Sequence, residues 1–151
     1  MIRVKIPVPG YVRKYLEVKY GTEHKVTKTS VLGQIIFMSL SNDIEKPNVT
    51  ERFTHNYPVN VPPMYVNTRG HSVNRAKLKT IGCILEKIFK EDLELYIDAL
   101  VASGITINDS ITQFMGFYAL AEDDIKFETL RRVYDRMKKD SKTCAEKSIK
   151  C

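Results

Sequence analysis

Hydrophobic and polar residues alternate at the start of the chain: Ile2, Val4 and Ile6 fall to one side, Arg3 and Lys5 to the other. A period of two is that of a short half-buried strand, and Pro7-Val8-Pro9-Gly10 punctuates it. From Tyr11 to Tyr20 the spacing becomes helical, with Val12, Leu16 and Tyr20 four apart and Gly21 as the stop. Thr22 to Thr29 is polar and reads as a connection. A second helix, capped by Thr29 or Ser30, carries Leu32, Ile35, Ile36 and Leu40 and stops in Ser41-Asn42-Asp43.

Between Ile44 and Gly70 helical periodicity is absent. Pro47, Pro58, Pro62 and Pro63 all fall there, so Val59, Val61, Tyr65 and Val66 predict short extended pieces. Proline has no ladder donor, which places such strands at a sheet edge. From Ser72 to Ala102 the helical signal is strongest. Leu78, Ile81, Leu85 and Ile88 step by three, four and three, and Leu93, Ile97 and Leu100 continue the face. Ser72 is the expected cap, and Glu91-Asp92 suggests a new helix opening after a break near Lys90.

Gly104 ends that segment. Thr106 or Asn108 caps the next helix, whose Ile107, Ile111, Phe114 and Met115 face inward. Tyr118 to Glu122 forms a turn of about five residues, and Asp123-Asp124 begins a last helix with Phe127, Leu130, Tyr134 and Met137 on one stripe. From Asp140 the period fails and Lys and Ser dominate, the signature of a disordered tail. These elements predict an α+β protein, mainly helical. A small N-terminal strand-containing portion (residues 1–70) packs with a C-terminal three-helix, helix-turn-helix-like portion (71–140), followed by a tail (141–151).

Composition narrows the class. The chain has 151 residues, 43% of them hydrophobic and 28% charged, with no Trp. That suits one ordinary domain or two small ones. No apolar run approaches the roughly 20 residues of a membrane span, and the N-terminus lacks a leader-like apolar region. Cys83 reads as a buried small hydrophobe and Cys144 and Cys151 as tail residues. An odd count without C-x-x-C spacing points away from a disulfide framework or structural zinc and towards a reducing cytoplasm.

The net charge of +6 is unevenly placed. Residues 1–30 carry seven basic groups against two acidic, 31–125 eight against twelve, and 126–151 nine against four. Basic ends around an acidic middle are the electrostatic footprint of a polyanion binder.

The last helix focuses that charge. With Phe127, Leu130, Tyr134 and Met137 inward, Lys126, Thr129, Arg132 and Arg136 fall outward, and Lys138 and Lys139 extend the positive charge. A helix fits the major groove, where arginine reaches guanine or phosphate in bidentate fashion and lysine neutralises phosphate. The same stripe also fits an αα-hairpin with a solvated basic exterior, because Gly116 falls too early for the motif's turn glycine and Glu128 and Asp135 interrupt the face.

The string from Ser110 through Phe114-Met-Gly-Phe-Tyr118 and Ile125-Lys-Phe127 to Tyr134 resembles the C-terminal region of small, largely uncharacterised phage or mobile-element proteins with a helix-turn-helix-like end. The resemblance implies a DNA-related role in replication, transposition or regulation and transfers no functional residue.

Other constellations carry less. His24, His55 and His71 share no metal-ligand spacing. Arg69-Gly70-His71-Ser72 before a helix suits an anion but lacks the phosphate-loop pattern. Glu91, Asp92 and Glu94 spread around a helix, and no nucleophile sits beside a base. Tyr11, Tyr15 and Tyr20 interleave with Arg13, Lys14 and Lys19, an arrangement suited to stacking single-stranded bases. The expectation is therefore a cytoplasmic, non-enzymatic DNA-binding protein without cofactor, metal, membrane or small-molecule ligand, and with scope for a homo-oligomer. The alternative is a structural or adaptor protein, such as a phage assembly factor, binding another protein through its basic ends.

Overall fold

A computed structural model describes residues 2–40, 53–70 and 73–149. Along these residues run β1 (Ile2–Val8), α1 (Gly10–Tyr20), β2 (His24–Lys25), α2 (Val31–Ser39), β3 (His55–Val61), α3 (Pro63–Arg69), α4 (Arg75–Ala102), α5 (Ile107–Phe117) and α6 (Phe127–Ile149). The protein is α+β and mainly helical, with one small sheet near its N-terminus. It divides into two units, residues 1–87 and 88–151, and the division falls inside α4 rather than in the proline-rich stretch. Among the described residues no helix is long and apolar enough to cross a membrane.

The alternation of β1 does what its period requires: Val4, Ile6 and Val8 are buried while Arg3 and Lys5 are exposed. The strand pairs antiparallel with β3, Val4 opposite Val59 and Ile6 opposite Tyr57, so both strands give apolar side chains to one face. Val12, Tyr15 and Leu16 of α1, Leu32 and Ile36 of α2, and Ile81 and Leu85 of α4 complete the core of this unit. Gly21, with φ of 91°, closes α1 by donating its N–H to the Glu17 carbonyl. The Ser30 hydroxyl, rather than Thr29, caps α2 by accepting the Gly33 N–H. The Leu40 N–H closes that helix on the Ile36 carbonyl, and the expected stop at residues 41–43 lies outside the described residues.

The proline rule misplaces β3. The sheet order is β1-β3-β2, so the strand containing Pro58 is central rather than at an edge. The reason lies in the length of β2. The Asn60 carbonyl accepts from the Val26 N–H, so residue 58, two positions earlier, turns its backbone nitrogen to the β2 side as well. The two-residue β2 pairs only with Val59 and Asn60 and stops short of Pro58, whose missing N–H costs no ladder bond.

Three helical boundaries also differ from expectation. Tyr65 and Val66 lie in α3, not in extended chain; seven residues are too few to show a period, but Pro63 at the first helical position and Gly70 (φ 117°) just past the last are its start and stop. The helix α4 has no break at Lys90. Ile81, Leu85, Phe89, Leu93 and Ile97 are buried at regular steps of four, so the stripe passes through Phe89 rather than half-buried Ile88, and Glu91-Asp92 lies mid-helix. Ser72 lies outside the described residues; the side chain that caps α4 is Asn74, which accepts the Lys77 N–H at 2.8 Å. Finally, α6 begins at Phe127 and runs to Ile149, so most of residues 141–151 are helical rather than a disordered tail. Residues 139–147 are exposed on every side, which erases the apolar period that marks a packed helix.

The close of α5 explains its late restart. Ala119 adopts φ of 51°, with Ala119 N–H on the Gly116 carbonyl and Leu120 N–H on the Met115 carbonyl at 2.8 Å. This is the paired bonding of a Schellman motif, with buried Leu120 as its apolar contact. The Asp124 carboxylate accepts the Ala121 N–H in the turn that follows, so Asp124 serves the loop and not the first turn of α6.

Two outcomes test this fold. A Cβ on Gly82 of α4 would stand 2.0 Å from the Pro7 carbonyl oxygen of β1, a backbone atom that cannot yield as a side chain can. Gly82→Ala should cost about 3 kcal/mol, the upper end for overpacking, read from urea unfolding. Buried Tyr57 donates its hydroxyl to the Gly21 carbonyl at 2.8 Å; burial first, then the Glu17 carboxylate, pushes it up from 10.0 to about 12. Its contribution is therefore whole below pH 10 and lost as pH rises through 12. Tyr57→Phe should flatten the fall in stability across that window.

Candidate nucleic-acid interface

The surface of α6 follows from what its other side buries. In the second unit Phe89, Leu93 and Ile97 of α4 meet Ile111, Phe114 and Met115 of α5 as a buried set, joined by Leu130 and Tyr134 of α6. Phe114 is the hub: its ring lies 5.6 Å from Phe89, 5.4 Å from Tyr96 and 4.7 Å from Tyr118. Phe127 and Met137 are half-buried on the same stripe as Leu130 and Tyr134. The inward face is thus the expected one.

Five of the six residues expected to meet nucleic acid are exposed: Lys126, Thr129, Arg132, Arg136 and Lys139. Arg132 comes only within 4.0 Å of Glu128, and both side chains are largely in water, where such a pair contributes little. Lys126, Arg136 and Lys139 form no ion pair among the described residues. Positions 129, 132, 136 and 139 step by three and four, so they share one side of the helix.

Lys138 is the exception and leaves the set. Its ammonium lies 2.5 Å from Asp98 Oδ2 and 3.6 Å from Glu94 Oε1 on α4. The Tyr134 hydroxyl donates to Asp98 Oδ1 at 2.7 Å, and Lys138 Nζ stands 5.7 Å from the Tyr134 ring centre. The hydrogen bond to Asp98 raises the Lys138 pKa; burial, then Asp98, raises that of Tyr134. The physical reason is register: Lys138 follows Tyr134 by four residues and so shares its inward stripe, where Glu94 and Asp98, also four apart, await it.

Arg131 is likewise committed, its Nε 3.3 Å from both Asp135 oxygens and Nη1 2.6 Å from Asn108 Oδ1 at the start of α5. Continuation of α6 adds exposed Lys142, Thr143 and Lys147 beyond Lys139. The loss of apolar period at Asp140 hid these residues. Thr106 caps α5, accepting the Asp109 N–H at 3.2 Å, and nine residues separate α5 from α6. That connection is longer than the expected five and than the three or four of a helix-turn-helix.

The aromatic–basic segment of α1 is not a stacking platform. Tyr15 is fully buried with its hydroxyl 2.9 Å from Lys19 Nζ. The Tyr11 hydroxyl donates to Glu86, and Tyr20 packs on His24. Of the run before α4, His71 and Ser72 lie outside the described residues, while the Arg69 guanidinium sits 5.2 Å from the Phe37 ring centre. Cys83 is half-buried rather than buried. Among the described residues no group of three or more His, Cys, Asp or Glu is placed to hold a metal ion.

Comparison of the chain with protein-family models, curated proteins and solved structures finds no match.

The clamp on α6 makes a direct prediction. Asp98→Ala leaves Lys138 and the Tyr134 hydroxyl without their shared acceptor. At this half-exposed site the loss should be about 1–2 kcal/mol of unfolding free energy by urea titration.

Proposed function

We propose that the protein binds duplex DNA without enzymatic action, in a regulatory or accessory role, through the solvent face of α6. The observation that carries this reading is the side of α6 bearing Thr129, Arg132, Arg136 and Lys139, with Lys126 just before its start, exposed and almost unpaired while the acidic partners on α4 are spent on Lys138. A helix of about 10–12 Å diameter matches a major groove about 12 Å wide. Arg132 and Arg136, one turn apart, offer planar donor forks to guanine or phosphate. Lys126 and Lys139 serve as phosphate contacts and Thr129 as a hydroxyl donor.

The long α5–α6 connection makes this a three-helix unit presenting a helix, not a tight helix-turn-helix. A cytoplasmic setting is consistent with Cys83 and Cys144 standing outside any disulfide. The phage or mobile-element setting rests on the resemblance of residues 110–134.

A second reading, an adaptor that binds protein, draws on Phe117 and Leu95, which are 61% and 68% exposed on the second unit. Fluorescence anisotropy with a labelled duplex at two salt concentrations separates the two. On the DNA reading affinity falls steeply with salt. Arg132→Ala/Arg136→Ala should then weaken binding roughly tenfold or more and lower the salt slope by about two, with the circular-dichroism spectrum unchanged. Binding unaffected by the double substitution removes α6 as the contact. A complex with protein that persists at high salt, without DNA binding, favours the adaptor.

A further inference from the structure

We infer that the first unit carries an anion site of its own, a depression that accepts a phosphate group such as one in a nucleic-acid backbone. It is lined by Arg3 and Lys5 of β1, Arg13 of α1, and Thr54, His55 and Asn56 at the start of β3. Among the described residues no carboxylate lines it directly, and two carboxylates, Glu17 and Glu23, pair with its two arginines. This inference does not depend on α6, because every residue it uses lies in residues 1–87.

The sheet register builds the site. Arg3 and Lys5 project from the face opposite the buried Val4 and Ile6. Pairing of Pro7 with Asn56 and Val8 with His55 brings the polar start of β3 alongside the end of β1. A Cβ at Gly10 would approach the His55 ring to 3.2 Å, so glycine at that position leaves room for the imidazole against the start of α1. There Thr54 Oγ1 lies 3.2 Å from the His55 Nδ1.

The cations are held in place without being used up. Glu17 engages Arg13 through Nε at 2.9 Å, and Glu23 engages Arg3 through one Nη nitrogen. A guanidinium has five N–H donors in a fixed fork, so each arginine keeps donors beyond those its carboxylate takes. Lys5 is exposed and makes no ion pair among the described residues. Three cations against the two carboxylates that pair with the arginines leave the concavity net positive, and the N–H donors of the arginines, Lys5 and Asn56 match the acceptor oxygens of phosphate. The depression combines side chains of β1, β3 and α1 and presents no projecting helix. It therefore suits a backbone phosphate and not the reading of base edges.

The test uses the full chain. In 1H–15N NMR, sodium phosphate added against sodium chloride at matched ionic strength should shift the resonances of Lys5, Arg13, His55 and Asn56, and Lys5→Gln/Arg13→Gln should abolish those shifts. With a labelled oligonucleotide the same variant should bind about tenfold more weakly, with a salt slope reduced by about two. The loss should persist in the Arg132→Ala/Arg136→Ala background. Phosphate shifts with unchanged oligonucleotide affinity support the anion site and assign it to small phosphate esters. Absence of selective shifts, together with unchanged oligonucleotide affinity, overturns it. Failure of α6 as a DNA contact shows separately, as unaltered affinity in the Arg132→Ala/Arg136→Ala variant alone.

Discussion

Ile81, Leu85, Phe89, Leu93 and Ile97 stand four residues apart on α4, all buried, and each unit draws its α4 core residues from this series. Ile81 and Leu85 belong to the core that holds the sheet; Phe89, Leu93 and Ile97 belong to the core around Phe114. Each such side chain contributes roughly 1.5–3 kcal/mol on leaving water. Neither a three-stranded sheet with a two-residue third strand nor a pair of helices joined by nine residues would bury enough surface alone. Within the first unit Gly82 allows α4 to come against the Pro7 carbonyl, a close approach that any side chain would forbid.

The charge pattern depends on the same helix. Glu94 and Asp98 project from α4 towards the inward edge of α6, where they hold Lys138 and the Tyr134 hydroxyl. This contact lies on the same inward side of α6 as buried Leu130 and Tyr134. With Lys138 drawn in, Arg132, Arg136 and Lys139 are left on the side facing water. The acidic middle of the chain therefore does not simply neutralise its basic end. It takes one lysine and one tyrosine as a clamp and leaves Lys126, Arg136 and Lys139 without an ion pair among the described residues, the state of charge that the DNA reading needs.

Legibility varied with how local the deciding forces are. The strand at Ile2–Val8 and the helix ending at Gly21 are written in alternation, in steps of four and in a glycine that tolerates positive φ. Ser30 and Thr106 announce their helices because a cap needs only a hydroxyl within three residues. The short α3 carried Pro63 and Gly70 as its signals, outweighed by the absence of a period. Pro58 misled because the edge rule concerns hydrogen bonds made and not a strand's position, and a partner two residues long asks for none at that point. In the candidate interface the outward set Lys126, Thr129, Arg132, Arg136 and Lys139 was readable from the apolar stripe opposite it. The fate of Lys138 was not, because its partners lie 40 and 44 residues earlier in the chain.

By itself, then, the amino-acid order determined the α+β class, the caps of α2 and α5, the inward stripe of α6 and the basic character of both ends, since all of these arise from period, side-chain type and neighbours within one or two turns. Tertiary structure decided that β3 is central, that Arg3, Lys5, Arg13 and His55 share one depression, and that Lys138 is a clamp. Those outcomes depend on pairing across dozens of residues, where a side chain's neighbours are chosen by packing and not by sequence distance.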